Sequence, residues 1–143
     1  MNWERNVPLA PLTRYGIGGT APQLARPTSR DSLRGALEDL GDAAYRVLGA
    51  GANVLVADRG VRLAILILGG ELDYVESEAD RIEAGAAARL PSLVGTARRR
   101  AREGFSFLEA VPGTVGGGLR MNAGGRDVWL WHRVIWADVM PET

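Results

Sequence analysis

The spacing of apolar residues along the chain predicts two helices. The first begins at the capping sequence Thr28-Ser29-Arg30-Asp31 and ends at Gly41. The leucines of its apolar face are Leu33, Leu37 and Leu40. The second helix is predicted over residues 90–103, with apolar residues on one side and arginines, expected to be solvated, on the other. Its apolar residues are Leu90, Leu93, Val94 and Ala97, and its arginines are Arg98, Arg99, Arg100 and Arg102.

Short apolar runs between turn-forming residues predict strands. Leu63–Leu68 is apolar at every position, so we expect a central strand that is covered on both faces. Shorter strands are predicted at Gln23–Arg26, Tyr45–Leu48, Val54–Val56, Leu72–Glu76 and Arg81–Gly85. Val128–Val139 also has strand composition, which places Trp129 and Trp131 on one face, buried in a core or an interface.

The mixture of two helices with short strands indicates an α+β or α/β fold, and 143 residues suit a single core. Residues 1–22 are rich in proline and glycine, which favours an extended arm that ends in a tight turn. The longest apolar run is too short to span a membrane, and residues 1–20 do not resemble a signal peptide. We therefore expect a cytoplasmic protein without membrane insertion.

Composition removes several classes of chemistry. Seventeen basic and seventeen acidic residues cancel, so we expect no nucleic-acid partner. The chain has no cysteine, which excludes disulfides, thiolate nucleophiles and iron–sulfur clusters. It has no lysine either, which excludes a Schiff-base lysine or a P-loop lysine. A single histidine, His132, makes a multi-histidine metal site a poor hypothesis, and we interpret it as a surface or packing residue.

Two glycine-rich clusters are the candidate binding sites. The first is a turn in which successive backbone N–H groups, with the side-chain amide of Asn53, form a concave anion site. Its residues are Gly49, Ala50, Gly51, Ala52, Asn53, Val54 and Leu55. Phosphate or pyrophosphate is the expected guest, although on this motif alone a turn that binds nothing is the favoured interpretation. A Walker loop is excluded because Gly-Lys-Ser/Thr is missing.

The second cluster offers backbone without side chains, against which a flat ligand can lie. Its residues are Pro112, Gly113, Thr114, Gly116, Gly117, Gly118, Met121, Asn122, Ala123 and Gly124. Thr114 supplies a hydroxyl and Asn122 an amide. Interleaved apolar residues predict an ordered, partly buried segment instead of a flexible surface loop.

The second cluster resembles a flavin-binding signature of the UDP-N-acetylenolpyruvoylglucosamine reductase family, also called UDP-N-acetylmuramate dehydrogenases. The strings that carry the resemblance are Val111-Pro112-Gly113-Thr114-Val115-Gly116-Gly117 and Met121-Asn122-Ala123-Gly124. The first cluster, followed by Asp58-Arg59-Gly60, is similar to the family's other signature. Two further segments, Thr13–Ala21 and Gly104–Glu109, are similar to family segments in the same order.

The resemblance implies an FAD-binding domain of the vanillyl-alcohol-oxidase (PCMH) type. In that arrangement an N-terminal arm at residues 1–22 precedes an FAD-binding domain at residues 23–143. Two small α/β subdomains then cover about residues 23–70 and 71–143, the second of them incomplete. The first glycine cluster would hold the FAD pyrophosphate, and the second would line the rest of the dinucleotide and the isoalloxazine ring.

The implied reaction is the reduction of UDP-N-acetylenolpyruvoylglucosamine to UDP-N-acetylmuramate in peptidoglycan synthesis. FAD is the implied cofactor, NADPH the co-substrate and a UDP-sugar the partner. The family places its catalytic arginine, serine and glutamate beyond the point that matches Thr143. We therefore expect a C-terminally truncated domain without the substrate domain, and we assign no catalytic residue and no metal ligand.

The sequence departs from the family at two further places. Ala52 stands where the family usually has serine, which predicts a weaker hold on a phosphate or ribityl oxygen. The family commonly continues Ala-Tyr-Gly after Met121-Asn122-Ala123-Gly124, whereas this chain has Gly125-Arg126-Asp127, which changes the expected loop shape.

Other interpretations stay open at this point. The chain is alternatively the FAD-binding domain of another oxidoreductase of the same fold, or a truncated, non-catalytic binding module that exposes an apolar edge such as Leu63–Leu68. The run Arg98–Arg102 is alternatively a phosphate patch, and the tryptophans a stacking surface for a flavin. We interpret Glu109 as an acceptor for nearby backbone amides.

Overall fold

The computed structural model describes residues 1–125 and 127–140, which form eight strands and three α-helices. The strands are β1 (Glu4–Pro8), β2 (Thr20–Ala25), β3 (Tyr45–Val47), β4 (Ala64–Leu66), β5 (Val75–Ser77), β6 (Ile82–Ala84), β7 (Gly124–Gly125) and β8 (Val128–Trp129). The helices are α1 (Arg30–Leu40), α2 (Leu90–Arg99) and α3 (Val115–Arg120).

Strand β4 lies inside a four-stranded sheet of order β1-β2-β4-β3. It runs parallel to both β2 and β3, while β1 is antiparallel to β2. All three β4 residues are buried, because the strand is paired on both edges and covered on its faces. The predicted central strand is confirmed. The exposed apolar edge envisaged for the same segment is wrong, since the open edges of this sheet are β1 and β3.

Helix α1 agrees with its prediction, because the predicted capping residues begin the helix and the predicted glycine ends it. The Ser29 side chain accepts a hydrogen bond from the Ser32 backbone N–H, and the Ser32 hydroxyl accepts one from the Ser29 backbone N–H. Gly41 ends the helix with φ +51°. Ala36 and Leu40 are buried in a cluster with strand β4, so α1 packs on one face of the sheet.

The N-terminal segment is part of the sheet, whereas the sequence predicted an extended arm. Residues 4–8 pair with β2 from Glu4↔Leu24 to Pro8↔Thr20. Beyond the strand, the Arg14 N–H donates to the Gly51 carbonyl at 2.9 Å and the Gly19 N–H donates to the Ala57 carbonyl at 3.0 Å. This segment therefore lies directly against the loop at residues 51–60.

The rest of the chain forms a second packed unit around α2. The β5–β6 hairpin is antiparallel, at the two positions where short strands were predicted. The predicted apolar face of α2 is the buried one. It forms a core with Leu108, Val115 and Leu130. The helix ends at Arg99, earlier than predicted, and Ala101 has φ +50°.

Two predicted strands are wrong. Val54–Val56 is irregular, with Leu55 exposed, because this segment packs against the N-terminal glycines and pairs with no strand. Within Val128–Val139 only β8 is a strand, and Leu130–Arg133 is a turn of 3-10 helix. In the described residues, no helix is long and apolar enough to cross a membrane.

Candidate functional site

A cleft of about 1350 Å³ lies between the sheet and the α2 unit, and both glycine clusters line it. Every predicted site residue except Leu55 is on its wall. Leu55 is 71% exposed and is not part of the wall. Two clusters about sixty residues apart in sequence therefore line a single space.

The first cluster forms a cradle of backbone donors. Within residues 1–125 and 127–140, none of the five backbone N–H groups from Gly49 to Asn53 donates to a backbone carbonyl. Gly51 is buried with φ +61°, and a Cβ there would lie 2.1 Å from the Leu12 carbonyl oxygen. Because N–H groups without a protein acceptor make a concave anion site, the loop suits a phosphate or pyrophosphate group.

The two clusters touch at Gly49 and Thr114. A Cβ on Gly49 would lie 2.5 Å from the Thr114 Oγ1 atom, closer than a Cβ is ever found to another heavy atom. Thr114 is buried, with 8% of its surface exposed. The absence of a side chain at Gly49 is therefore what lets the second cluster approach the first.

The second cluster begins a short helix, which the sequence analysis missed. Thr114 is the N-cap of α3, and its Oγ1 accepts a hydrogen bond from the Gly117 N–H at 3.2 Å. Three consecutive glycines are unfavourable in a helix, so the pattern gave no reason to predict one. Gly118 explains the exception, because a Cβ there would be 3.2 Å from the Leu90 and Leu130 side chains, and the helix packs closely on α2.

The second cluster was predicted to be structurally ordered, and it is ordered beyond the end of α3 as well. Asn122 has φ +47°, and its Oδ1 accepts a hydrogen bond from the Trp131 N–H at 3.2 Å. This leaves the Asn122 amide nitrogen, on the cleft wall, as the donor expected from the sequence. The chain then turns between β7 and β8, where Gly125 pairs with Val128. Arg126, part of the unusual Gly125-Arg126-Asp127 sequence, lies outside the described residues.

Charged side chains on the cleft wall were not anticipated from the sequence. Arg46, Arg89 and Arg120 line the cleft, and the two aspartates Asp42 and Asp73 line it as well. No motif marks these arginines, because they come from three different elements and are isolated in sequence. Their positive charge favours an anionic ligand in the same cleft as the cradle.

The arginines that did form a run lie elsewhere. Arg98, Arg99 and Arg100 are exposed, as expected for solvated side chains. For Arg102 the expectation is wrong, because this side chain is partly buried and its guanidinium donates to the Glu78 carbonyl at 2.9 Å and to the Ala79 carbonyl. The Glu109 carboxylate accepts from the Arg98 guanidinium, so the interpretation of Glu109 as an acceptor for backbone amides is wrong. His132 is exposed, and its Nδ1 accepts from the Trp129 N–H at 3.3 Å. No group of metal-ligating side chains occurs in the described ranges.

Burial of Trp129 and Trp131 in the core is wrong as a prediction, while their burial in an interface stays a prediction. Trp129, Trp131 and Trp136 are 42%, 49% and 55% exposed, and the predicted strand that was to place Trp129 and Trp131 on one face ends at Trp129. Of the three, Trp129 lines the cleft. Exposed large apolar side chains are concentrated in this part of the chain: Met121, Trp129, Trp131, Ile135, Trp136, Val139 and Met140.

Comparisons with known proteins bear on the same cleft. A family model described as an FAD binding domain matches residues 21–142. The UDP-N-acetylenolpyruvoylglucosamine reductase of Paramagnetospirillum magneticum is 41% identical over 120 residues, which cover 83% of this chain and 39% of that protein. The Bacillus subtilis protein of the same name is 35% identical over 139 residues, covering 96% of this chain and 46% of that protein.

A solved structure is similar as well. The crystal structure of UDP-N-acetylenolpyruvylglucosamine reductase from Thermus caldophilus matches with a TM-score of 0.76 and 37% sequence identity. The match covers 90% of this chain and 45% of that one. The chain thus spans less than half the length of these relatives.

Proposed function

Because the chain belongs to the FAD binding domain family, we propose that its cleft holds FAD and that it serves as the cofactor-binding portion of a UDP-N-acetylenolpyruvoylglucosamine reductase. The family resemblance predicted from the glycine motifs, the α+β FAD-binding fold and FAD as the cofactor are confirmed by the comparisons. The residues that contact FAD and the activity of the longer protein are the proposal.

One observation carries the assignment of residues: the N–H groups of Gly49–Asn53, which have no backbone acceptor in the described residues, belong to a loop that lines the same cleft as the second glycine cluster. The cradle donates to the pyrophosphate, whose negative charge the backbone N–H groups stabilise. Pro112–Gly118 and Met121–Gly124 then lie along the rest of the dinucleotide and the isoalloxazine ring. Leu55, with its exposed side chain, contributes at most through its backbone.

The reaction proposed for the longer protein is the one in the name of its relatives, the reduction of UDP-N-acetylenolpyruvoylglucosamine. Bound FAD supplies hydride transfer, from NADPH to the enolpyruvyl group of the UDP-sugar. The residues of this chain bind the cofactor, fix its orientation and exclude water from the cleft. We assign none of them a catalytic role. A cytoplasmic location belongs to the same proposal, because NADPH is a coenzyme of that compartment.

The domain division stays a proposal as well. A boundary near residue 70 is supported by the core, because one cluster of buried residues lies wholly after it and the other two lie wholly before it. The cleft then lies between the two subdomains, where ligand sites are common.

Reconstitution with FAD tests the cofactor assignment. We expect the protein, mixed with excess FAD and desalted, to keep a flavin absorbance band near one equivalent per chain. A colourless protein with a native circular dichroism spectrum would contradict FAD binding by this chain. Adding FMN and AMP in place of FAD gives the control, since neither molecule carries the pyrophosphate that the cradle is proposed to hold.

The substrate assignment needs a protein in which this chain is joined to the remaining length of its relatives. We expect that protein to sustain NADPH oxidation, beyond the amount that reduces its bound FAD, only when UDP-N-acetylenolpyruvoylglucosamine is present, with UDP-N-acetylmuramate as the product. Flavin reduction by an alcohol or a hydroxy acid instead would favour another oxidoreductase of the same fold. Bound FAD without any turnover would favour a non-catalytic binding module.

A further inference from the structure

We propose that Trp131 is a positioning residue for the segment Met121–Gly124, holding it in the conformation that meets the cofactor. The inference rests on the proposed function, which assigns this segment to the FAD-binding cleft. Trp131 itself is not on the cleft wall in the described structure. It therefore acts on the ligand through the segment, not by contact.

Trp131 donates one N–H to the segment and the other to the end of α3 that precedes it. Its indole Nε1 donates to the Leu119 carbonyl at 2.9 Å, at the end of α3, and its backbone N–H donates to Asn122 Oδ1 at 3.2 Å. The preceding residue, Leu130, donates its N–H to the Ala123 carbonyl at 2.8 Å. Two consecutive residues thus fix three acceptors within residues 119–123.

The segment needs such an anchor because its local sequence does not hold it. Helix α3 has only six residues, three of them glycine, so its own stability is low. Asn122 adopts φ +47°, a left-handed conformation that asparagine tolerates better than most L-residues but that is still less favourable than the right-handed one. Leu130, which is 4% exposed, packs into the core around α2 and gives Trp131 a fixed base.

The test compares Trp131→Phe with Trp136→Phe. The first substitution keeps an aromatic ring but removes the indole donor to Leu119, while the second changes a tryptophan that is similarly exposed and lies outside the cleft wall. Two measurements are made: FAD affinity by quenching of flavin fluorescence, and amide hydrogen exchange of residues 121–123 in the protein without FAD. The backbone N–H groups of these residues donate to carbonyls of α3, so exchange reports their order directly.

For Trp131→Phe we expect faster exchange confined to residues 121–123 and an FAD dissociation constant raised about three- to tenfold, the effect of losing one hydrogen bond. We expect the absorbance band of the bound flavin to change shape as well. Trp136→Phe should match the parent in FAD affinity, in amide exchange and in the shape of the flavin band.

Unchanged exchange in Trp131→Phe would overturn the proposal, whatever the FAD result. Faster exchange spread evenly over the whole protein would also overturn it, because Trp131 would then contribute to stability alone. If neither the parent nor any variant bound FAD, the proposed function would fail, while the exchange measurement would still decide the role of Trp131.

Discussion

Thr114 and Gly49 meet so closely that a methyl group on Gly49 would lie 2.5 Å from the Thr114 Oγ1 atom. This contact joins the loop after β3 to the start of α3, and both line the cleft. It fixes how near the two glycine clusters come to one another. The width of the proposed FAD site therefore depends on one missing side chain and one buried hydroxyl.

Gly49→Ala should force the two clusters apart. We expect the free energy of unfolding to fall by about 1–3 kcal/mol, as for other overpacked sites, and FAD affinity to fall with it. Urea denaturation and FAD titration measure the two effects. The control is Gly35→Ala in α1, where a Cβ meets nothing within 4 Å. It should stabilise the protein by about 0.5–1 kcal/mol because alanine is the better helix former.

Thr114→Val should remove the N-cap of α3 while keeping nearly the same side-chain shape. The Gly117 N–H loses its acceptor, and we expect the unfolding free energy to fall by about 0.5–2 kcal/mol. Thr114→Ser retains the hydroxyl and should keep most of that stability. Chemical denaturation of both variants gives the comparison, and a larger loss in Thr114→Ser than in Thr114→Val would show that the methyl group matters more than the hydroxyl.

Ala52→Ser should restore a hydroxyl that the resemblance places beside the cofactor. Ala52 is partly buried on the cleft wall. One added hydrogen bond to a phosphate or ribityl oxygen is worth about 0.5–1.5 kcal/mol, which is about a two- to tenfold gain in FAD affinity. Isothermal titration with FAD measures it. Ala57→Ser, at an exposed position outside the cleft wall, is the control and should leave the affinity unchanged.

Stability should depend on Tyr74 in alkaline solution. Tyr74 donates its hydroxyl to Glu83 Oε1 at 2.7 Å, and this hydrogen bond, together with burial, raises the pKa of Tyr74 above its ordinary value of 10.0. The phenol therefore ionises at lower pH in the unfolded chain than in the folded one. Its contribution is complete below the unfolded pKa and is lost as the pH rises through the folded pKa.

The measurement for Tyr74 is the urea midpoint at about pH 9 and about pH 11, on either side of an ordinary tyrosine pKa. We expect the parent to lose more stability over this interval than Tyr74→Phe loses. Tyr15→Phe, which removes an exposed phenol, should behave as the parent does. The same pH dependence in the parent and in Tyr74→Phe would contradict the link to Glu83.

Elements with strong local signals could be predicted from the sequence. Helix α1 has a cap, an apolar face and a terminating glycine, and β4 has an uninterrupted apolar run that only burial on both faces explains. The residues of the cleft followed from the glycine clusters, whose lack of side chains leaves backbone groups accessible. In these places local preference and tertiary packing act in the same direction.

The elements that were missed depend on distant contacts. Helix α3 forms in spite of its glycines because Gly118 lets it lie against Leu90. Val54–Val56 has strand composition but pairs with no strand, because the N-terminal glycines occupy the adjacent space. The arginines of the cleft wall, such as Arg46 and Arg120, become neighbours of the cradle only when the chain is folded.

Because the N-terminal segment contacts the loop at residues 51–60, it provides the surface against which the cradle packs. Leu12 lies against Gly51, and Gly19 lies against Gly60, so this backbone shapes the loop from behind. During synthesis, residues 12–19 leave the ribosome before the loop at residues 51–60, so their contacts with this loop form only after it has been synthesised. A version of the protein trimmed to begin at residue 23 would keep every residue proposed to touch FAD and still lose the surface against which the cradle is formed.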